Sequence, residues 1–100
     1  LSKAAALRST YSWRLFENLE RFRDTGVWEG DIDRFHIIME TPKSYRANFA
    51  QTRRWVIEPA LSELAAQTNI TAEFEPIKRG RKTARLRFTF ENASQMALPL

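Results

Sequence analysis

Cysteine is absent from this 100-residue chain, and histidine occurs only once, as His36. The first absence excludes disulfides, thiolate nucleophiles and cysteine-based zinc sites, and it fits a reducing compartment such as the cytoplasm. A single histidine leaves little for metal-ligand or nucleophilic chemistry, and three glycines are too few for a phosphate-cradling loop. No apolar run approaches the roughly 20 residues that a membrane-spanning helix needs. We therefore expect a protein that is not an enzyme and that has no metal, no cofactor and no membrane partner.

The length is that of one small domain, and seven Phe, three Trp and two Tyr residues supply the bulky side chains that its core requires. The sequence opens with Leu1 rather than methionine and carries no secretion leader, so we expect a piece of a longer protein. One core accounts for every apolar stripe described below, which predicts that this fragment is a monomer.

Basic residues are unevenly distributed, and 12 of the 16 are arginine. Residues 11–42 carry four basic and seven acidic side chains, a net charge of −3, whereas residues 43–90 carry ten basic and four acidic, a net charge of +6. This division predicts one basic face, and the arginine excess favours contacts with phosphates and base edges. The alternatives are a solvated surface with a chance skew and a membrane-surface site, although the basic residues do not follow one amphipathic helix.

Two helices are predicted in the first half of the chain. The first begins at Ser9 or Thr10, and its apolar side chains follow helical spacing: Tyr11, Leu15, Phe16, Leu19 and Phe22. After a short extended piece at residues 27–29, Asp31 is expected to cap the second helix. The inward positions of the second helix are Ile32, Phe35, Ile38 and Met39. His36 lies on this helix, where we expect a partly buried structural histidine.

A third, longer helix is predicted from Ser44, as its cap, to about Ala66. Pro59 lies inside this pattern and predicts a kink or a helix–helix junction. The inward stripe of the helix is Phe49, Thr52, Val56, Ala60 and Leu64.

Two strands follow, joined by a turn at residues 78–81. Apolar and polar side chains alternate in residues 70–75 and again in residues 84–90, which is typical of strands buried on one face. Pairing the strands about Gly80 places apolar residues opposite apolar ones and acids opposite arginines. The predicted pairs are Phe74 with Leu86, Ala72 with Phe88, Glu75 with Arg85 and Glu73 with Arg87.

Three helices followed by a hairpin with a basic tip is the element order of a winged helix, an α+β fold. In that fold the second and third helices form a helix-turn-helix and the hairpin is the wing. We assign residues 11–90 to this domain, residues 1–10 to a lead-in segment, and residues 91–100 to a tail that frays.

The third helix presents the first candidate site. On an unbroken helix, the positions opposite the core stripe are Ala47, Gln51, Arg54 and Glu58, flanked by Ala50 and Trp55. Gln51 can pair bidentately with adenine and Arg54 with guanine. No acid occurs in residues 43–56, whereas an ordinary solvated helix face, which is the alternative, mixes charges of both signs. The residues predicted to contact DNA here are Ser44, Tyr45, Arg46, Ala47, Asn48, Gln51 and Arg54.

The hairpin tip is the second candidate site, because residues 78–87 carry six cations and no acid. Like charges on a turn repel one another, so phosphate is the natural counter-charge, and Gly80 supplies the backbone freedom of the turn. The alternative, protection of exposed strand edges from aggregation, explains one or two of these charges. The residues predicted to contact DNA from the wing are Lys78, Arg79, Arg81, Lys82 and Arg85.

Four segments carry a further signal: residues 7–17 (LRSTYSWRLFE), Ser44-Tyr45 with the helix that follows, residues 54–60 (RWVIEPA), and residues 76–82 (PIKRGRK) leading to residues 86–90 (LRFTF). In this order they resemble the C-terminal winged-helix domain of iteron-binding plasmid replication initiators, over residues 7 to 90. Two positions depart from that family's pattern. Trp55 stands where the family usually has Arg or Lys, and Thr52 where it often has Phe.

The resemblance implies a bacterial, plasmid-encoded, cytoplasmic initiator in which this domain is the second of two winged helices. It implies that the third helix and the wing bind double-stranded DNA at the direct repeats (iterons) of the plasmid origin, and that this binding initiates replication. The implied partners are the N-terminal winged-helix domain of the same protein and the host replication initiator and helicase.

Two other functions stay open at this point. The same fold serves transcriptional repressors, and a winged helix can also bind a protein, in which case the basic wing would meet an acidic surface. Salt-dependent binding to duplex DNA separates the protein-binding function from the other two, and maintenance of an origin plasmid separates initiation from repression.

Overall fold

The computed structural model describes residues 9–92. The predicted lead-in, except for Ser9 and Thr10, lies outside the described residues, and so does the predicted tail beyond residue 92. The elements in chain order are α1 (Thr10–Glu20), β1 (Val27–Asp31), α2 (Ile32–Met39), α3 (Lys43–Arg46), α4 (Phe49–Thr52), a π-helical segment (Arg53–Ile57), α5 (Glu58–Gln67), β2 (Ile70–Arg79) and β3 (Lys82–Asn92). Helices followed by an antiparallel hairpin confirm the predicted α+β winged helix.

The sheet has three strands in the order β1-β3-β2, and both pairs are antiparallel. The sequence predicted an extended piece at residues 27–29 but not its pairing with the hairpin. In the structure Val27 pairs with Thr89 and Asp31 pairs with Arg85. The wing is therefore the free end of a hairpin whose base is anchored in a sheet, with β3 as the central strand.

The predicted hairpin register is wrong by two residues. The observed pairs are Phe74 with Phe88, Ala72 with Phe90, Glu75 with Arg87, and Glu73 with Thr89. A two-residue turn at residues 80–81 and an irregularity between Ile77 and Lys78 account for the shift. Gly80 has a φ of 64°, which glycine adopts without the strain of a Cβ atom. Because the shift is even, inward and outward side chains keep their predicted faces.

The first two helices begin where the sequence predicts. Ser9 Oγ accepts a hydrogen bond from the Tyr11 N–H at 3.1 Å, which is the expected N-cap of α1. Asp31 occupies the N-cap position of α2 but makes no capping hydrogen bond, because its carboxylate accepts instead from Arg85 at 2.6 Å. Phe22, predicted to face inward, is exposed, since α1 ends at Glu20.

The predicted start of the third helix at Ser44 is wrong. α3 is a separate single turn, and a continuous helix spans residues 49–67, hereafter the long helix. Asn48 caps it, since Asn48 Oδ1 accepts from the Ala50 N–H at 3.0 Å. The two pieces are tied together by Thr52, whose hydroxyl donates to the Tyr45 carbonyl at 2.9 Å. Asparagine is as strong an N-cap as serine, so capping preference alone does not distinguish a start at Asn48 from the predicted start at Ser44.

The junction that Pro59 predicts takes the form of a change in helix type. Proline has no N–H to donate to the carbonyl of residue 55, so the regular hydrogen-bond pattern fails there. The backbone widens over Arg53–Ile57 into a π-helical segment, in which the Glu58 N–H bonds to the Arg53 carbonyl. α5 then resumes with Pro59 in its first turn, where a missing N–H is tolerated.

The predicted inward stripe of the long helix is confirmed, since Thr52, Val56, Ala60 and Leu64 are all fully buried and Phe49 is half-buried. α5 packs against α1 and β2, and α2 packs against β1 and β3. The described apolar core consists of Leu15, Leu19, Trp28, Phe35, Met39, Val56, Ile57, Ala60, Leu64, Ile70, Leu86, Phe88 and Phe90.

An aromatic cluster lies at the centre of this core. Phe88 on β3 contacts Trp28, Phe35 and Phe74, with ring centroids 6.0, 5.8 and 6.1 Å away. These partners belong to β1, α2 and β2, so one side chain joins the whole sheet to the helix-turn-helix. Gly30 allows the close fit, because a Cβ there would lie 2.9 Å from the Trp28 ring.

Replacing Asn48 with alanine removes the acceptor for the Ala50 N–H, so we expect the free energy of unfolding to fall by about 1 kcal/mol. Asn48→Asp keeps an acceptor oxygen and is the matched control, which should retain most of the stability. Urea denaturation followed by circular dichroism measures both variants. An equal loss in the two variants, or no loss in Asn48→Ala, would contradict the capping role.

Candidate nucleic-acid interface

Three neighbouring side chains of the long helix are exposed near its N-terminal end: Gln51, Arg54 and Trp55. Thr52 and Val56 lie between and beside them and are fully buried, so the opposite side of the helix is fixed in the core. An α-helix with its side chains is about 10–12 Å across, and the major groove of B-DNA is about 12 Å wide. The exposed face can therefore enter a major groove while the core holds the helix in place.

Trp55 contacts both of the predicted base-reading side chains. Its indole Nε1–H donates to Gln51 Oε1 at 2.9 Å, and the Arg54 guanidinium carbon lies 5.0 Å from the centre of its ring. The second contact is a cation–π interaction, in which the ring face attracts the guanidinium charge. Trp55 is 49% exposed, so these three side chains form a polar and aromatic group at the surface.

Arg53 connects the long helix to the wing. Its guanidinium lies 5.3 Å from the ring centre of Phe74 on β2, and its Nε donates to Glu58 at 3.0 Å. These contacts engage the Arg53 charge within the protein. Arg54, one residue later, has no ion pair among residues 9–92, so of the two arginines it is the one available to a ligand.

The single turn before the long helix holds the other predicted contact residues. Ser44, Arg46 and Ala47 are exposed, whereas Tyr45 is half-buried and packs against the core. Arg46 Nε donates to the Thr41 carbonyl at 2.8 Å, which fixes its side chain across the turn. None of these residues lies on the long helix, and Asn48 uses its side-chain oxygen as the cap. The structure thus brings only Gln51 and Arg54, of the seven, onto one helix face.

The wing tip gathers four of its five predicted cations. Lys78, Arg79, Arg81 and Lys82 are exposed, and none of them has an ion pair within residues 9–92. They surround the two-residue turn in which Lys78 pairs with Thr83 and Arg79 pairs with Lys82. Four positive charges with no counter-ion in the part of the chain that the structure describes create a positive potential that attracts anions.

Arg85 is separated from that tip by its partners. It donates to Glu29 at 3.2 Å and to Asp31 at 2.6 Å, while Arg87 donates to Glu29 at 2.9 Å and lies 3.8 Å from Glu75. The hydrogen bond from Arg87, together with the one from Arg85, lowers the pKa of Glu29 below its ordinary value. This network crosses all three strands on the outer face of the sheet. It neutralises both arginines, so the wing's free charge is confined to its tip.

His36, on α2, is buried, with 4% of its surface exposed, and its Nδ1 has no hydrogen-bond partner among the described residues. Burial lowers its pKa, the positive charge of Arg46 adds to the effect, and Asp33 opposes it. The imidazole is therefore neutral at pH 7. This agrees with the structural role predicted for it.

Residues 9–92 contain no group of three or more histidine, aspartate or glutamate side chains arranged to hold a metal ion. Over the same residues, no helix has both the length and the apolar character needed to cross a membrane.

Sequence reasoning missed two side chains of this surface. Trp55 flanked the predicted face but was left out of the site, although it stands four residues after Gln51, a spacing that brings helix side chains together. Arg53 was not assigned to the exposed surface from the sequence, because the π-helical segment changes which residues share a face of the helix. The signal for that change was Pro59, whose effect on the preceding turn is known only once the backbone is seen.

Residues 31–90, from the start of α2 to the base of the wing, match the sequence profile of a family described as "Initiator Rep protein, WH2". A curated protein of Escherichia coli, described as an uncharacterized 27.6 kDa protein, is 30% identical to this chain over 78 residues. The alignment covers 74% of this chain and 31% of that relative, so the chain spans about a third of the relative's length.

The lowered pKa of His36 predicts a pH-dependent stability. Unfolding restores the ordinary value of 6.5, so below that pH the unfolded chain binds a proton that the folded chain does not, and stability falls. The free energy of unfolding should be level above pH 7 and decline below 6.5, by at most about 1.4 kcal/mol per pH unit. Urea denaturation at several pH values measures this, and His36→Gln should flatten the decline. Parallel curves for the two proteins would refute the assignment.

Proposed function

The chain belongs to the initiator Rep proteins, whose winged-helix profile its residues 31–90 match, and on that premise we propose that it binds double-stranded DNA sequence-specifically at the direct repeats of a plasmid origin. The observation that carries the proposal is the pairing of two exposed surfaces on one small fold. One is the exposed face of the long helix over residues 49–56, which carries no acid, and the other is the wing tip, whose four cations have no ion pair within residues 9–92.

In this proposal the long helix reads base edges in the major groove. Arg54 carries a planar fork of donors that matches the two acceptors of guanine, and Gln51 lies on the same exposed face. Trp55 contacts both of them. We expect Ser44 and Arg46, on the turn before the helix, to contact the phosphates that flank the groove.

The wing supplies affinity without sequence information. Lys78, Arg79, Arg81 and Lys82 attract the phosphate backbone, and each contact releases counterions from the DNA. The outer-face network leaves Arg85 engaged with Glu29 and Asp31. A direct contact of Arg85 with DNA, which the sequence predicted, would therefore require the loss of these ion pairs.

The remaining parts of the proposal follow from the family. We infer a plasmid-encoded protein of the bacterial cytoplasm that starts replication. We also infer that it works with an N-terminal winged-helix domain of the same protein and with the host replication initiator and helicase. The isolated fragment is expected to be a monomer. A repressor would use the same surfaces, so loss of origin-plasmid maintenance on removing the gene separates initiation from repression.

Replacing Arg54 with alanine tests base reading. We expect a loss of about 1–3 kcal/mol on a duplex recovered by binding-site selection, and a much smaller loss on a scrambled duplex of equal length. Arg53→Ala removes the same charge one residue earlier and should weaken both duplexes alike, because its guanidinium is engaged with Glu58 and Phe74. Fluorescence anisotropy at one salt concentration gives the four affinities. An unchanged ratio of specific to scrambled binding in Arg54→Ala shows that Arg54 grips phosphate only.

Replacing both Arg79 and Arg81 with alanine tests the wing. The slope of log affinity against log salt should flatten by about one unit for each lost phosphate contact, equally for selected and random duplexes. The control is the double replacement Arg21→Ala and Arg34→Ala, which changes the net charge equally at the C-cap of α1 and on α2. A wing variant that binds random duplex as well as the parent would show that the tip is no phosphate clamp. Tight binding to an acidic protein and none to duplex DNA would favour a protein-interaction module.

A further inference from the structure

We propose that Trp55 is a positioning residue that determines which base Gln51 reads, by fixing the orientation of the Gln51 side-chain amide. The proposal rests on the proposed DNA-binding function. It concerns a single hydrogen bond, from the Trp55 indole N–H to Gln51 Oε1, at 2.9 Å.

The bond assigns the two ends of the Gln51 amide. An indole nitrogen can only donate, so the atom that faces it must be the amide oxygen. The amide nitrogen then lies on the other branch of the side chain, with two N–H donors left for a ligand. Gln51 therefore presents its two N–H donors to the groove, while its oxygen is turned towards the indole and has one of its two lone pairs engaged.

Donors alone favour guanine over adenine. A glutamine pairs bidentately with adenine by accepting from the adenine N6 amino group and donating to N7, which needs both ends of the amide. Guanine offers two acceptors, N7 and O6, at the same edge, and these suit the two N–H groups of Gln51. We therefore expect Gln51 to contact guanine, instead of the adenine predicted from the sequence.

Trp55 also limits the movement of Arg54, whose guanidinium lies over its ring at 5.0 Å. A fixed arginine and a fixed glutamine lose less side-chain freedom on binding than two mobile ones would. The exposure of Trp55 is consistent with this role, because a tryptophan that is 49% exposed contributes little to the core.

Replacing Trp55 with phenylalanine distinguishes the role of the indole N–H from that of the aromatic ring. Phenylalanine keeps an aromatic face for Arg54 but cannot donate to Gln51, so the amide is free to turn and to pair with adenine. The base position that Gln51 contacts is first identified as the one at which Gln51→Ala abolishes base preference. The affinities for duplexes that carry guanine or adenine at that position are then compared. We expect the parent to prefer guanine there, and Trp55→Phe to shift the guanine-to-adenine ratio towards adenine by about tenfold, within the range of one bidentate contact.

Two controls accompany this experiment. Trp13→Phe makes the same change at a tryptophan of α1 that is 41% exposed, and it should leave the ratio unchanged. In the double variant Gln51→Ala with Trp55→Phe, the ratio should equal that of Gln51→Ala alone, because Trp55 acts through Gln51. Thermal melting by circular dichroism verifies that each variant is folded.

The outcomes separate the two proposals. If the parent binds selected and scrambled duplexes equally, sequence-specific binding fails, and this inference fails with it. If the parent is specific but Gln51→Ala changes no base preference, or if Trp55→Phe keeps the parent's ratio, the inference alone is overturned. A parental preference for adenine at that position also overturns it.

Discussion

The packing of Phe88 against Trp28, Phe35 and Phe74 is the interaction on which the rest of this structure depends. Phe88 lies on the central strand, and its three partners come from the two outer strands and from α2. A buried aromatic ring contributes a large apolar area, and the offset and tilted contacts add to it. The hairpin base and the helix-turn-helix are thereby held as one body. A wing and a helix held in this way can meet one ligand at the same time.

Ion pairing, rather than the number of basic residues, determines where the positive charge of this domain is free. The outer face of the sheet carries Arg85 and Arg87, but both are engaged by acids of β1 and β2. The tip, beyond the reach of those acids, keeps its four cations free of partners within residues 9–92. Free charge is therefore localised where the hairpin extends furthest from the core. The hydrogen bonds from Arg87 and Arg85 to the Glu29 carboxylate also lower the pKa of Glu29.

The long helix shows how a regular pattern can conceal an irregular backbone. Apolar spacing over residues 49–64 predicted the buried side correctly, since burial on one side is strongly determined by hydrophobic residues. The predicted start of the helix was wrong, because Ser44 lies inside the separate turn α3 and Asn48 provides the cap, while serine and asparagine are equally favoured at such positions. The exposed side was predicted from an unbroken 3.6-residue period. The backbone departs from that period in the π-helical segment before Pro59, and Trp55, predicted only to flank the exposed side, contacts both Gln51 and Arg54.

The hairpin is a second case in which the hydrophobic pattern predicts the buried side but not the details of the backbone. Alternation fixed which side chains face inward, and an even shift of register leaves that unchanged. The turn length and the irregularity at residues 77–78 decided the actual partners, and neither leaves a clear mark in the sequence. The pairing of β1 with β3 was likewise hidden, because a five-residue strand gives too short a pattern to predict a partner. This pairing places Glu29 and Asp31 beside Arg85, so a residue predicted to contact DNA from the wing is ion-paired within the sheet.

The central claim is that the long helix and the wing tip contact one duplex together. The most direct measurement is the change in backbone amide chemical shifts when the ¹⁵N-labelled chain is titrated with a duplex recovered by binding-site selection. The account predicts the largest changes at residues 48–55 and 78–82, with little change along β1 and on the outer face at Arg85 and Arg87. Changes concentrated on α1, β1 or that outer face, with the long helix unaffected, would contradict it.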